Sequence, residues 1–298
     1  MNETSLLNSV LPKLEQGAEI IVPPGDDCAV IEMGTEQLYL MSVDQLVESV
    51  HYDPLDTSAF EAAVKLVNRN VSDIAAMGGY PAQALLTIAS SDKTESWLNE
   101  FFDGISHAAS RFNISVCGGD LSSAGAGDFV STLTITGWVN RDRLCLRSNA
   151  EDGDVILCTG ELGNSYYSRH HLTFTPRIEA AEFLAGRFTD AMMDISDGLG
   201  CDIRRMASAS SLGVQIELDK LPLREGADIK VALSDGEDYE LLFAVSPGLL
   251  QELYEAWPFK DLKLSEIGLF TNQSLGVKYL SDKIKLDLSD SSGYDHFE

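Results

Sequence analysis

Apolar and polar positions along this chain follow two periods in turn, and together they predict an α/β protein. Leu6 to Leu14 has helical spacing, and Glu19–Val22 runs into Pro23-Pro24-Gly25. Cys28–Ile31 and Leu38–Val43 read as strands, the second nearly all apolar. From Ala59 to Met77, six apolar residues (Ala62, Ala63, Leu66, Val67, Ile74, Met77) fall on one helical face, and Gly78-Gly79 should stop that helix. Ala84–Ala89 predicts a buried strand. Glu95–Phe112 predicts an amphipathic helix, with Trp97, Phe101, Ile105 and Ala109 on one side. Ile114–Cys117 predicts a short strand that ends at Gly118-Gly119-Asp120, and Phe129–Val139 alternates as a strand should.

A polar joint at Asn140–Asp154 leads into a second α/β set. Strands are predicted at Val155–Thr159, Ala191–Ile195, Gln215–Leu218 and Glu240–Val245, and helices at Arg177–Leu184, Gly198–Ala209 and Leu249–Trp257. A chain of 298 residues comfortably makes two domains, here 1–146 and 147–298.

Composition narrows the setting. Hydrophobic residues at 44% and charged residues at 23% suit a soluble globular protein, and no run of 18 apolar residues predicts a membrane span. The N-terminus has neither a basic start nor a long apolar run, so no signal peptide is expected. Five cysteines with no CxxC pair suggest neither a disulfide framework nor a zinc site, and a reducing cytoplasm is expected. The formal net charge of −26 repels nucleic acid and anionic lipid, so neither is expected as a partner.

Acidic residues recur in one kind of motif: Gly25-Asp26-Asp27, Ser42-Val43-Asp44, Val71-Ser72-Asp73, Gly118-Gly119-Asp120 and Asp194-Ile195-Ser196-Asp197-Gly198. Most fall at predicted strand ends or turns, where each alone has an ordinary reading as a turn or cap residue. Asp73 differs, because a carboxylate within the apolar helical pattern is costly to bury unless paired or metal-bound. As a set they suit Mg2+, a hard ion that bridges carboxylates to substrate phosphates and inverts the local charge for an anionic nucleotide. Thr159–Ser165 is a Gly-rich turn able to offer N–H groups to phosphate. The chain has no Walker A loop and no protein-kinase motif set, so any ATP chemistry must use another fold. Arg147, at the joint, could pair with phosphate oxygens.

The ordered blocks Gly25–Ala29, Ser42–His51, Asn70–Gly78, Gly118–Asp120, Arg147-Ser148, Thr159–Ser165, Asp194–Leu199, Gly236–Leu241 and Gly293–Phe297 resemble those of thiamine-monophosphate kinases over nearly the whole chain. The resemblance implies a two-domain α/β (α+β) fold of the PurM-like superfamily, with a mixed N-terminal sheet, helices, and a C-terminal α/β domain. It implies several Mg2+ ions held by Asp27, Ser42, Val43, Asp44, Asp73, Asp120, Asp194 and Asp197. It implies ATP, as co-substrate, contacting Gly119, Asp120, Arg147 and Ser196. Thiamine phosphate would contact His51, Glu237 and Tyr294, and the protein would be a homodimer.

Four features depart from the family pattern. Val43 stands for a usual Thr and can ligate only through its backbone carbonyl; Asn164 replaces an Asp; Asp235 replaces a Gly. The 165–176 segment is short and carries Tyr166-Tyr167 in place of small residues.

The implied reaction is metal-assisted direct in-line transfer from ATP with no catalytic side chain as nucleophile or base. The alternatives are another PurM-like ATP-dependent enzyme, or a nucleotide- or metal-binding protein without catalysis. Against a selenophosphate synthetase no Cys loop opens the chain, and against a hydrogenase-maturation protein no Cys lies at its C-terminus.

Overall fold

Ser58 and Glu61 set the start of the helix around which both halves of the chain are arranged. In the computed structural model, which describes residues 3–125, 129–272 and 276–281, the Glu61 N–H donates to the Ser58 hydroxyl at 3.2 Å and the Ser58 N–H donates to the Glu61 carboxylate at 2.9 Å. This reciprocal cap satisfies two otherwise unpaired donors. The helix, α2 (Ala59–Ala76), stops at Gly78, where φ is +73° and a Cβ would lie 2.3 Å from the Arg143 carbonyl oxygen.

Before α2 come α1 (Glu3–Val10), β1 (Ile20–Val22), β2 (Ala29–Ile31) and β3 (Gln37–Val47). After it come β4 (Tyr80–Ser90), α3 (Glu95–Arg111), β5 (Ser115–Ser123) and β6 (Phe129–Asn140). The strands form one mixed sheet in the order β1-β2-β3-β6-β4-β5, parallel only between β4 and β5. Period-two alternation turns Leu38, Leu40 and Leu46 of β3 toward the core that also holds Leu66, Val67 and Ile74 of α2. Ser42 and Asp44 share that parity, so both face α2. Val43 lies on the opposite, open face and is 58% exposed.

The second half carries β7 (Val155–Thr159), α4 (His170–Thr173), α5 (Ile178–Leu184), β8 (Met192–Asp194), α6 (Leu199–Ala209) and β9 (Gly213–Glu217). It continues with α7 (Ile229–Ser234), β10 (Leu241–Val245), α8 (Leu250–Ala256), β11 (Leu264–Thr271) and β12 (Gly276–Leu280). Its mixed sheet has the order β12-β9-β11-β7-β10-β8. Ala75 of α2 packs into a core with Leu157 of β7 and Phe243 of β10, so the helix serves both sheets. The two-sheet α/β class expected from the sequence is found. Among the described residues no helix is long and apolar enough to cross a membrane.

One expected boundary is corrected. The strand predicted to end before Gly118 runs on as β5 to Ser123, because its parallel register with β4 continues to Ser90↔Ser123. Asp120 therefore sits inside an edge strand rather than in a turn. Gly119 allows the close approach: a Cβ there would lie 1.7 Å from the Leu86 carbonyl oxygen.

Candidate active site

Three carboxylates converge where the two sheets meet at α2. Asp27 precedes β2, Asp73 lies on α2 and Asp194 ends β8; one oxygen from each lies within 4.8 Å of the others. Two hydroxyls hold them in place: Ser42 Oγ donates to Asp73 Oδ2 and Ser72 Oγ to Asp194 Oδ2, each at 2.5 Å. Burial, reinforced by the neighbouring acids, pushes the Asp73 and Asp194 carboxyls well above the usual carboxylate range. The Asp27 side chain is 2% exposed, and its Oδ2 is buried with no hydrogen-bond partner. A buried, unpartnered carboxylate oxygen beside two further acids is the donor set a hard divalent cation takes. Asp44 joins this layer from β3 and pairs with Arg69 of α2 at 2.9 Å.

Arg147 lies against the cluster. Its guanidinium pairs with Asp27 and donates to the Gly25 carbonyl at 3.3 Å, while the Arg147 backbone N–H donates to Asp26 Oδ2 at 3.1 Å. Burial, with Asp27 beside it, raises the Asp26 carboxyl to about 6.

Next to the acids is a cavity of about 290 Å³ with His51, Arg69, Ser196, Asp197 and Glu237 in its wall. The Val47 N–H donates to His51 Nδ1 at 2.9 Å, so the neutral ring carries its proton on Nε2. Glu237 adopts a left-handed φ of +67°, and its N–H donates to the Ser196 carbonyl at 2.7 Å. Lys65, fully buried on α2, donates to Glu237 Oε2 at 2.5 Å and to the His51 carbonyl. Burial lowers the Lys65 pKa to about 8 although Glu237 opposes the shift. His171, 3.9 Å from Glu237, is kept neutral by burial and by Lys65.

The implied site residues therefore fall into separate places. Asp27, Asp73 and Asp194 come together, with Ser42 and Asp44 adjacent. Asp197 belongs to another group with Cys201 and Asp202, and Arg205 pins it at 2.5 Å. Asp120 and Gly119 lie on exposed β5, outside both groups. Val43 presents its side chain away from the acids. Tyr294 lies outside the described residues.

In the Gly-rich turn of residues 159–165, the N–H groups of Gly160, Leu162, Gly163 and Asn164 are committed internally. The Gly163 N–H donates to both Asp238 oxygens at 3.0 Å, Asn164 to Asp235 at 3.1 Å, and Leu162 to the Pro222 carbonyl at 2.7 Å. This corrects its reading as a phosphate cradle: the turn is a clasp around a buried acid.

Lys65, Arg69 and His171 were missed as site residues. For Lys65 and Arg69 the available signal was that polar positions interrupt the apolar pattern of α2; nothing local marked His171, which lies on α4.

Lys65 gives a pH signature. The unfolded chain binds more protons between a folded pKa of about 8 and the usual value near 10.4, so the lysine's contribution raises stability as pH rises through that window. Denaturation midpoints of Lys65→Met and the parent should converge or cross in that direction, with only the parent gaining from pH 8 to 10. Parallel profiles would show that Lys65 is charged throughout.

Comparison with known proteins adds independent findings. Models of the AIR synthase related protein family match residues 25–139 with its N-terminal domain and 151–279 with its C-terminal domain. The chain is 36% identical over 264 residues to the thiamine-monophosphate kinase of Rhodopirellula baltica, covering 82% of each. It is 32% identical to that of Escherichia coli K12, covering 92% of this chain and 91% of the relative. The solved structure of AaThiL complexed with AMPPCP and TMP superposes with a TM-score of 0.82 at 28% identity, covering 99% of this chain and 97% of that one.

Proposed function

The chain belongs to the thiamine-monophosphate kinase family, and we infer that it transfers the γ-phosphoryl group of ATP to thiamine phosphate, forming thiamine diphosphate. The observation that carries this reading within the site is the convergence of Asp27, Asp73 and Asp194 beside the cavity that holds His51 and Glu237. Those three acids, with Ser42 and Asp44, would hold Mg2+, which supplies charge neutralisation for the two anionic substrates. Asp120, Asp197 and the Val43 carbonyl belong to the same proposal as ligands of further ions.

The chain's own residues then have defined tasks. Gly119, Asp120, Arg147 and Ser196 contact ATP; His51, Glu237 and Tyr294 contact thiamine phosphate. His51 acts as a donor through Nε2 rather than as a base. No base is needed, because a phosphate monoester with a second pKa near 6 is mostly deprotonated at neutral pH. Transfer is direct and in line. Burial raises the Cys28, Cys145 and Cys158 thiols, which makes them poor nucleophiles for a phosphoenzyme.

A homodimer and a cytoplasmic location complete the proposal. Val43 and Leu85 flank Thr134 in register across the open face of the first sheet, an exposed apolar row suited to a second copy. All five cysteines are free thiols, which suits a reducing compartment.

Purified protein should sediment as a dimer and form thiamine diphosphate from ATP, Mg2+ and thiamine phosphate, with free thiamine a poor acceptor. Chromatographic product analysis decides it, and equal or faster turnover of free thiamine refutes the assignment.

A further inference from the structure

Two adjacent tyrosines, Tyr166 and Tyr167, line the 290 Å³ cavity. The segment is fixed on both sides. On one side the Ser165 hydroxyl donates to Asp238 at 2.5 Å. On the other Arg169 donates to Glu61 at 2.8 Å and to the Asp56 carbonyl at 3.1 Å, reaching across to the first half of the chain. Between these anchors the chain turns tightly: the Arg169 N–H donates to the Tyr166 carbonyl at 3.0 Å and the His171 N–H to the Ser165 carbonyl at 3.1 Å.

The two rings meet edge to face, with centroids 6.0 Å apart at 83°, and Tyr166 stands edge-on to His171 at 4.6 Å. Tyr167 is 87% exposed. Its ring takes no part in the core, so its position at the cavity mouth is not explained by packing. Acids outnumber cations around the two rings: Asp197, Asp235 and Glu237 share the cavity wall with Arg69, which Asp44 pairs, and after burial itself Asp53, Asp56 and Glu237 raise the Tyr166 phenol. Aromatic faces beside carboxylates attract organic cations rather than anions.

We propose that Tyr166 and Tyr167 form an aromatic wall that recognises the delocalised cationic ring of the acceptor, making this segment a specificity determinant. The proposal rests on the reading of the cavity as the thiamine phosphate site. Binding would cover the Tyr167 face and exclude water from it, and the carboxylates would complement the ring's charge. The fixed anchors at Ser165 and Arg169 hold the two rings in place before the ligand arrives, so little ordering cost remains.

Titrations of thiamine phosphate and, separately, of the non-hydrolysable ATP analogue AMPPCP with Mg2+ test it in the full-length protein. Tyr167→Leu keeps apolar area without an aromatic face and should weaken thiamine phosphate about five- to tenfold. Tyr167→Phe keeps the face and should stay within twofold, and AMPPCP affinity should not move in either variant. Tyr166→Leu and Tyr166→Phe should repeat the contrast. If the Leu variants bind thiamine phosphate as the parent does while the parent still makes thiamine diphosphate, the wall is refuted and the activity stands. Equal losses for both ligands would also refute it, by showing a structural role. If the parent neither binds nor phosphorylates thiamine phosphate, the assignment of the cavity falls, and the wall with it.

Discussion

Asp73→Asn is expected to lower turnover at least ~10³-fold while leaving the fold intact, equivalent to about 4 kcal/mol of barrier. The amide oxygen can still accept from Ser42 Oγ, so the local hydrogen bond survives the change. What disappears is one of the three carboxyl groups that converge within 4.8 Å, and with it a ligand that can bring a negative charge to a bound cation. Without Mg2+ the variant should be as stable as the parent or more so, because repulsion with Asp44, Asp194 and Asp27 is relieved. With Mg2+ it should lose most of the stabilisation that a bound ion gives the native state. Steady-state kinetics and thermal melts at several Mg2+ concentrations check both halves. A rate within tenfold of the parent would make Asp73 a purely structural acid.

Arg147→Met should show the opposite balance, a severe loss of stability that Mg2+ partly repairs. Arg147 is the counter-charge of Asp26 and Asp27, both nearly inaccessible. Removing one partner from such a buried group leaves uncompensated charge and typically costs about 3–5 kcal/mol. Asp26, already raised to about 6, would take up a proton more readily, so the damage should be greatest above pH 7 and smaller at pH 5. A divalent ion beside Asp27 would replace part of the missing positive charge. Chemical denaturation at both pH values, with and without Mg2+, measures this. A loss that is the same under all four conditions would mean that Arg147 stabilises by packing alone.

The elements carried by strong local patterns were legible. Helix α2, from Ala59 to its glycine stop, follows from the apolar spacing and the glycine pair, while its cap at Ser58 and Glu61 emerges only in the structure. The anomaly of Asp73 pointed to the acidic centre because an ionisable group on an apolar face has few inexpensive explanations. The misreadings share a cause, which is distance along the chain. Gly118-Gly119-Asp120 looks like a turn locally, and only its register with β4 makes it strand. The Gly-rich turn looks like a phosphate loop until Asp238 and Asp235, more than 70 residues later, take its N–H groups. Strand β11 escaped notice because Gly268 falls at a bulge that breaks its alternation. Lys65 reads as a solvated position, since its carboxylate partner lies 172 residues away.

Helix α2 has a consequence for how this protein can vary. Buried positions make up 13 of its 18 residues, and they include Lys65, Asn68, Asn70 and Ser72 as well as the aliphatic set. One side packs against the first sheet, Ala75 enters the core of the second, Asn68 and Ser72 donate across to Phe174 and Asp194, and Asp73 joins the acids. Such a helix has almost no neutral ground. A substitution that suits one neighbour meets another at once, so few changes on α2 should leave the protein unaffected.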